Sequence, residues 1–511
     1  MTIGSLPQAR PARRSAATSE ALVQTGMALM AVIVAVSSFA ISTMFGVAAT
    51  FVLVLVLAIA VPAGVPLLIA TAFLFQNSVV AWYSPYIADN DAFDALRGAN
   101  FVVLMTAFAV FFAAALQPRI RAIPQLRPWV LGGMALGGVV GAYLLLGMAL
   151  GEPKDAIVYF RNILTPVACF YIAIVAASAY RVDLGRTLVW LAAAAIVYGY
   201  CELVFTMDFL SLFHGDDYVQ RSIWKQIQTG VWEKALAETG FVYRGLEDVM
   251  MTNAFNLPMT DGILPKVFRI GGPNFHAIAY AYGLAVVSVW MLFNRRWLLP
   301  LAALPLLMVI GSKGAVVMLL LALLARIGLP LFGARLTLGG VIAGAVLWVG
   351  GSIAVGAAGG DYHVLGLFAG LREFVSNPIG KGIGFGGNLS STSLNINWDL
   401  AQAEGAAATP MESALAVLLY QMGVAAAAIY VFVGAIAWAA WRAYRRSGDS
   451  GLLFPVIAII VISANSVLQE EAFFSPLALG LCLLLTGVSL GSHWRALWRG
   501  DSSPRQRPSR V

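Results

Sequence analysis

Long runs of mostly apolar residues, broken by short polar or basic segments, recur along the whole chain. Crossing about 30 Å of hydrocarbon at about 1.5 Å per residue takes about 20 such residues, so each run predicts a membrane-spanning helix. The runs parse as 22–42, 45–61, 66–83, 100–117, 128–149, 162–180, 187–206, 275–293, 297–311, 314–330, 337–357, 412–439, 451–468 and 474–491. The pattern predicts an all-α, polytopic transmembrane bundle of about 14 spans, an even number that returns the chain to the side on which it began. The run at 297–311 is short, and 45–61 and 66–83 stand close together. Two long polar connections remain, 207–274 and 358–411.

The organisation that follows is a basic tail (1–21), seven N-terminal spans (22–206), a first loop (207–274), central spans (275–357), a Gly-rich second loop (358–411), C-terminal spans (412–491) and a basic tail (492–511). The first run follows Arg10, Arg13 and Arg14 and superficially resembles a secretory signal. It is longer than the usual apolar stretch of about 7–15 residues and more spans follow, so it reads as a retained helix.

Composition narrows the function classes. The chain is 60% apolar and 11% charged, with a mean hydropathy of +0.82. Soluble proteins are roughly 45–50% apolar and about 25% charged, so a large water-soluble enzyme is excluded. The 32 Lys and Arg exceed the 25 Asp and Glu, and they cluster. With the N-terminus inside, Arg119, Arg121, Arg127, Arg181, Arg186, Arg295, Arg296, Arg326, Arg335, Arg442, Arg445, Arg446, Arg495 and Arg499 fall in cytoplasmic segments, as the positive-inside rule requires. Such clustering reads as orientation rather than nucleic-acid binding. Both long loops then lie outside, where chemistry is expected.

The first loop has apolar residues at spacings of three and four (Tyr218, Val219, Ile223, Trp224, Ile227, Val231, Trp232, Ala235, Leu236), which predict an amphipathic helix. It serves as a loop strut or as a substrate contact. The loop ends in Arg269-Ile270-Gly271-Gly272-Pro273-Asn274, then Phe275 and His276 open a span. Asn274 is a candidate helix cap, and Arg269 is either an anchor of the helix end or a ligand for an anion. The second loop carries Arg372 and then Asn377-Pro378-Ile379-Gly380-Lys381-Gly382-Ile383-Gly384. Its glycines allow backbone amides to approach an anion and Lys381 adds charge, although a tight loop explains the glycines equally well. It is not a P-loop, since the Lys-Ser/Thr pair is missing. Arg161 is a third cation at the same level, and charge at membrane depth needs an anionic partner, from loop acids or a bound diphosphate.

Glu202 lies within the seventh span and Glu412 starts the twelfth. His214, His276, His363 and His493 show no metal-ligand spacing, and Cys169, Cys201 and Cys482 form no motif. No metal or cofactor is expected.

Four segments resemble the bacterial O-antigen polymerase and O-antigen ligase superfamily. They are Arg269 to Asn274 before a span, Ser312-Lys313-Gly314-Ala315 with Lys where Arg is usual, Arg372 with the Pro378-x-Gly380-x-Gly382-x-Gly384 run, and Glu412-Ser413 followed by Leu419, Gln421 and Gly423. The likeness covers residues 269 to 423, with the remainder similar only in hydropathy. Glu412 stands where ligases commonly have His, which favours the polymerase branch.

The resemblance implies a metal-independent glycosyltransferase of the inner membrane, with both termini cytoplasmic, that joins undecaprenyl-diphosphate-linked oligosaccharide repeats on the periplasmic side. Donor and acceptor would both be lipid-linked, with a chain-length regulator and export proteins as further partners. Arg269 and Arg372 are the candidates to hold the leaving diphosphate and Glu412 is the candidate base, with Glu202 behind it. Arg161, Lys381, Gly382, Gly384, Asn274 and His276 are candidate substrate contacts. Ligase-type transfer, a lipid-linked glycan flippase or transporter, and a structural assembly role remain as alternatives.

Overall fold

A computed structural model of the chain describes residues 11–87, 89–228, 246–253, 263, 265–391 and 398–500. The first half forms α1 (Pro11–Ile41), α2 (Thr43–Ala60), α3 (Val65–Tyr83), α4 (Asn90–Arg97), α5 (Ala99–Ala115), α6 (Arg127–Leu150), α7 (Pro153–Ala179), α8 (Thr187–Ser211) and α9 (Gly215–Gln228). The second forms α10 (Ala277–Phe293), α11 (Leu298–Ile310), α12 (Lys313–Gly359), α13 (Tyr362–Ser376), α14 (Ala414–Met422), α15 (Ala426–Ser447), α16 (Leu453–Asn465), α17 (Glu471–Phe474) and α18 (Leu481–Arg499). Among the described residues the only sheet is a ladder pairing Met251 with Phe268 and Thr252 with Val267. Side-chain oxygens start several helices by accepting a free backbone N–H: Ser42 from Phe45, Asp89 from Ala92 and Ser413 from Ala416.

The protein is a helical, multi-span membrane protein. Among the described residues nine helices are long and apolar enough to cross a bilayer, or ten if α4 and α5, bent by 40°, make one span. The hydropathy pattern predicts about fourteen, and two physical reasons account for the difference. The runs at 275–293, 297–311 and 451–468 become apolar helices of at most 17 residues, short of a full crossing. The runs at 314–330 and 337–357 belong to one 47-residue helix, α12, broken at Gly333 (φ 70°, ψ 168°). Its two arms fold back on each other, so that a Cβ at Gly344 would stand 2.8 Å from the Leu321 side chain.

At the centre α7 is buried along nearly its whole length, chiefly against α18. Small residues make this possible, because in a membrane close backbone approach replaces the hydrophobic effect as the source of helix association. A Cβ at Gly487 would lie 2.8 Å from the Phe170 carbonyl oxygen, and one at Gly491 2.8 Å from that of Ile174. Replacing both glycines with Ala therefore forces the helices apart, at about 1–3 kcal/mol per site as in other overpacked contacts. The detergent-solubilised double variant should unfold at a clearly lower temperature than the parent, and an unchanged transition would refute this account of the α7–α18 contact.

The bundle has two chemically different ends. At one, Asn294 to Trp297 meet the 183–186 turn, Ser450 donates to the Phe293 carbonyl, and Arg326 covers the Trp297 ring at 5.8 Å. Arg186, Arg295, Arg296, Arg326 and Arg446 gather there. The opposite end carries the described parts of the long connections and the buried carboxylates. The basic breaks of the sequence thus converge in space.

Candidate functional site

The carboxylate-bearing end is built from the ends of α3, α7, α8, α10, α12, α14 and α16. Glu202 (1% exposed) accepts from the Gly271 amide at 2.8 Å and the Gly272 amide at 2.7 Å, and so fixes the turn before α10. Both of its oxygens are spent on backbone, which makes Glu202 a strut rather than a base. Asn274 does not cap the helix: its carbonyl and side-chain oxygens accept from Asn77 Nδ2 at 2.8 and 3.1 Å. Phe275 is left-handed (φ 54°), which delays the helix, and His276 Nδ1 takes the cap from the Ala279 amide at 3.2 Å.

This turn delivers Arg269 to a position between two groups of opposite charge. On one side, His276 interacts electrostatically with both Arg269 and Arg97, and Arg97 interacts with Arg161. Arg97 is paired to Asp94 at 3.6 Å and lies over the Phe93 and Tyr218 rings at 5.6 and 5.7 Å. The guanidiniums of Arg161 and Arg269 make no ion pair or hydrogen bond among the described residues. Among the described residues these three guanidiniums face the one carboxylate of Asp94, which makes a net positive cluster. On the other side, the charge of Arg269 reaches Glu412, Glu471 and Tyr362.

The acidic half comes from three segments. Glu412 sits at φ 59°, a costly conformation for a non-glycine residue, two positions before α14. Ser413 Oγ locks the segment by donating to the Val467 carbonyl at 2.6 Å. Glu470 (3% exposed) accepts from Tyr159 Oη at 2.5 Å and from the Asn388 amide at 2.9 Å. Glu471 Oε2 is buried without a hydrogen-bond partner among the described residues. Burial first, and the neighbouring Glu471 charge second, push the Glu412 carboxyl up to about 7. Burial likewise pushes Glu470 up to about 8, against the two hydrogen bonds that favour its ion.

His363, on α13, places Nδ1 3.7 Å from Glu412 Oε2. The backbone of Leu468 holds the ring by a hydrogen bond, and Nδ1 makes none among the described residues. Burial lowers the pKa of this imidazole, so Nδ1 offers a lone pair towards the Glu412 carboxyl. Either group can hold a proton between them.

Other candidates from the sequence lie elsewhere. Arg372 is exposed and its Nη2 donates to the Ala407 carbonyl at 2.8 Å. Among the described residues it makes no contact with Glu412, whereas the charge of Arg269 does act on that carboxyl. The reason is helical: α13 turns His363 towards Glu412 and carries Arg372, nine positions on, away from it. Lys381 is neutralised by Glu373 Oε2 at 2.9 Å and lies over the Tyr420 ring at 4.5 Å. The Gly382 amide is donated to the Gln421 carbonyl rather than offered to an anion. Gly382 (φ 105°) and Gly384 (φ 107°) press on α6 and α7, where a Cβ would stand 2.6 Å from the amide nitrogens of Gly147 and Ala156. They are packing residues in this geometry.

Of the amphipathic pattern at 218–236, the part to Gln228 forms α9, where Tyr218 packs on Phe93 and Phe275 at 5.3 and 4.8 Å. Val231, Trp232, Ala235 and Leu236 lie outside the described residues. The site also gathers Arg97, Tyr159, Glu470, Glu471 and His363, which the motif reading passes over. Gln469-Glu470-Glu471 does carry a signal, as three polar residues between two apolar runs. The chain matches no protein-family model and no curated protein.

Proposed function

We propose that the protein is a glycosyltransferase that polymerises lipid-diphosphate-linked oligosaccharides at the carboxylate-bearing end of its bundle. The observation that carries this reading is the position of Arg269, between the guanidiniums of Arg97 and Arg161 and a cluster of buried carboxylates. This cluster of guanidiniums suits the anionic leaving group of a donor, since guanidinium binds phosphate oxygens by paired charge-assisted bonds. The acidic half suits an acceptor hydroxyl, which needs a base within about 3 Å or one water away. In the reaction the acceptor oxygen attacks the anomeric carbon and the bond from that carbon to the diphosphate breaks. The hydroxyl proton passes to Glu412, with His363 as its exchange partner, and the lipid diphosphate leaves on Arg97, Arg161 and Arg269.

In this reading the shorter apolar helices, the bent α4–α5 pair and both arms of α12 all cross or enter the membrane, which restores fourteen passages. The Arg-rich end faces the cytoplasm of a bacterial inner membrane, both termini lie there, and the site opens to the periplasm. Undecaprenyl diphosphate is the carrier implied by the resemblance, with a chain-length regulator and export proteins as partners. Transfer of finished glycan to another acceptor is the second reading. It is favoured by His363, which stands beside Glu412 where ligases commonly have His in that motif. Incubating the purified protein in liposomes with lipid-linked repeats separates the classes. Longer lipid-linked glycan supports polymerisation, glycan moved to a different acceptor supports the ligase reading, and movement across the bilayer without new linkages supports a transporter.

A further inference from the structure

At the Arg-rich end, far from the carboxylates, α6 and α15 stand apart and α18 closes the gap from behind, leaving a groove of about 640 Å³. Its walls are apolar over most of their length, and Trp129, Trp438 and Trp494 line them, with Trp129 and Trp494 stacked at 6.4 Å. The gap has a sequence cause. Its facing positions are small, Gly132 and Ala135 on α6 and Ala428 and Ala435 on α15, and they leave room between the two helices.

The mouth of the groove carries Arg442, Arg446 and His493, and among the described residues no carboxylate lines it. Arg442 and Arg446 are exposed and make no ion pair among the described residues. Asp449 and Arg446 are the charged neighbours of His493, so the rim stays net positive. Along α6 the lining runs from Pro128 to Val139, about 17 Å at about 1.5 Å per residue, close to one leaflet of a core about 30 Å thick.

We infer that this groove is a binding site for an anionic glycerophospholipid of the bilayer, with acyl chain against the tryptophans and phosphate on Arg442 and Arg446. Apolar depth, interfacial aromatic rings and a cationic rim without acids match the three parts of such a lipid in order. A zwitterionic lipid fits the walls equally well but gains less at the rim, because its headgroup brings a cation beside the phosphate. The site stands apart from the carboxylate-bearing end and does not depend on the proposed glycan chemistry.

Native mass spectrometry of the detergent-solubilised full chain, offered equal phosphatidylglycerol and phosphatidylcholine, tests it. The wild-type protein should retain phosphatidylglycerol about thirtyfold more, in line with about 1 kcal/mol for each of the two arginines near an anionic headgroup. The Arg442→Gln/Arg446→Gln variant should lose the preference, Arg442→Lys/Arg446→Lys should keep most of it, and Trp438→Ala should weaken both lipids. No preference in the wild type, or a preference that survives in the Gln variant, overturns the assignment. Should the Gln variant fail to fold, competition of wild-type phosphatidylglycerol binding by rising salt gives the same decision, with salt-insensitive retention as the contrary result. Glycan extension in the same variants is a separate readout, so loss of lipid with extension intact leaves the proposed function standing.

Discussion

Replacing Arg269 with Ala should abolish glycan extension while the protein remains folded in the membrane. Among the described residues Arg269 is the one cation whose charge reaches both His276 on the basic side and Glu412 and Glu471 on the acidic side. As the sugar–diphosphate bond breaks, negative charge builds on the leaving group, and a guanidinium held at the membrane edge stabilises it where water screens little. Removing one preorganised donor from such a site costs about 100- to 1000-fold in rate. Arg269→Lys keeps the charge without the paired hydrogen bonds and should recover only part of the rate. Arg372→Ala is the contrasting variant, because its guanidinium is engaged with the Ala407 carbonyl on an exposed face and should leave extension nearly intact. Polymer length on gels, read beside membrane protein level, decides between them. Equal loss in both variants would refute the division between the two arginines.

Glu412→Gln should lower the extension rate by about 100- to 10,000-fold, the usual range for loss of a general base. The wild-type rate should also depend on pH in a defined direction. Burial and the Glu471 charge push the Glu412 carboxyl up to about 7, and only its ionised form accepts the proton of the acceptor hydroxyl. Activity therefore rises with pH through about 7 and falls away below it, the reverse of what a general acid with the same pKa would give. The residual activity of the Gln variant should lack this limb. His363→Ala removes the group 3.7 Å from Glu412 and should shift the limb as well as lower the rate, because the two share the proton. A Gln variant with wild-type rate and pH profile would exclude Glu412 as the base.

The sequence was informative where one local pattern decides the outcome. Apolar runs mark helices because every backbone group in hydrocarbon must be bonded within its own segment, and each of the fourteen runs is mostly helical, although 412–439 divides into α14 and α15 at Gly423. It was less informative about which helices are complete passages: the runs at 275–293, 297–311 and 451–468 become helices of at most 17 residues, whereas the turn at Gly333 falls in the break already read between 330 and 337. In the site, Arg269, Arg161, His276 and Glu412 were legible as charged or polar residues at the ends of apolar runs. Arg372 was misleading because a motif fixes spacing along the chain and not the face of a helix. The glycines of 380–384 left two readings open because close packing and anion binding both require a missing Cβ; Gly382 and Gly384 pack on α6 and α7, and Gly380 on the end of α14. Glu470 and Glu471 escaped notice because their role depends on Tyr159 and Arg269, about 200 to 300 positions away, and nothing local marks that pairing.

The most direct measurement counts products in a single experiment: purified protein in liposomes, supplied with lipid-diphosphate-linked repeats, with new glycosidic linkages and released lipid diphosphate measured together. The account predicts one lipid diphosphate freed for each linkage formed, in the wild type and not in Arg269→Ala. Linkages without release, release without linkages, or undiminished extension by the Arg269 variant would contradict it.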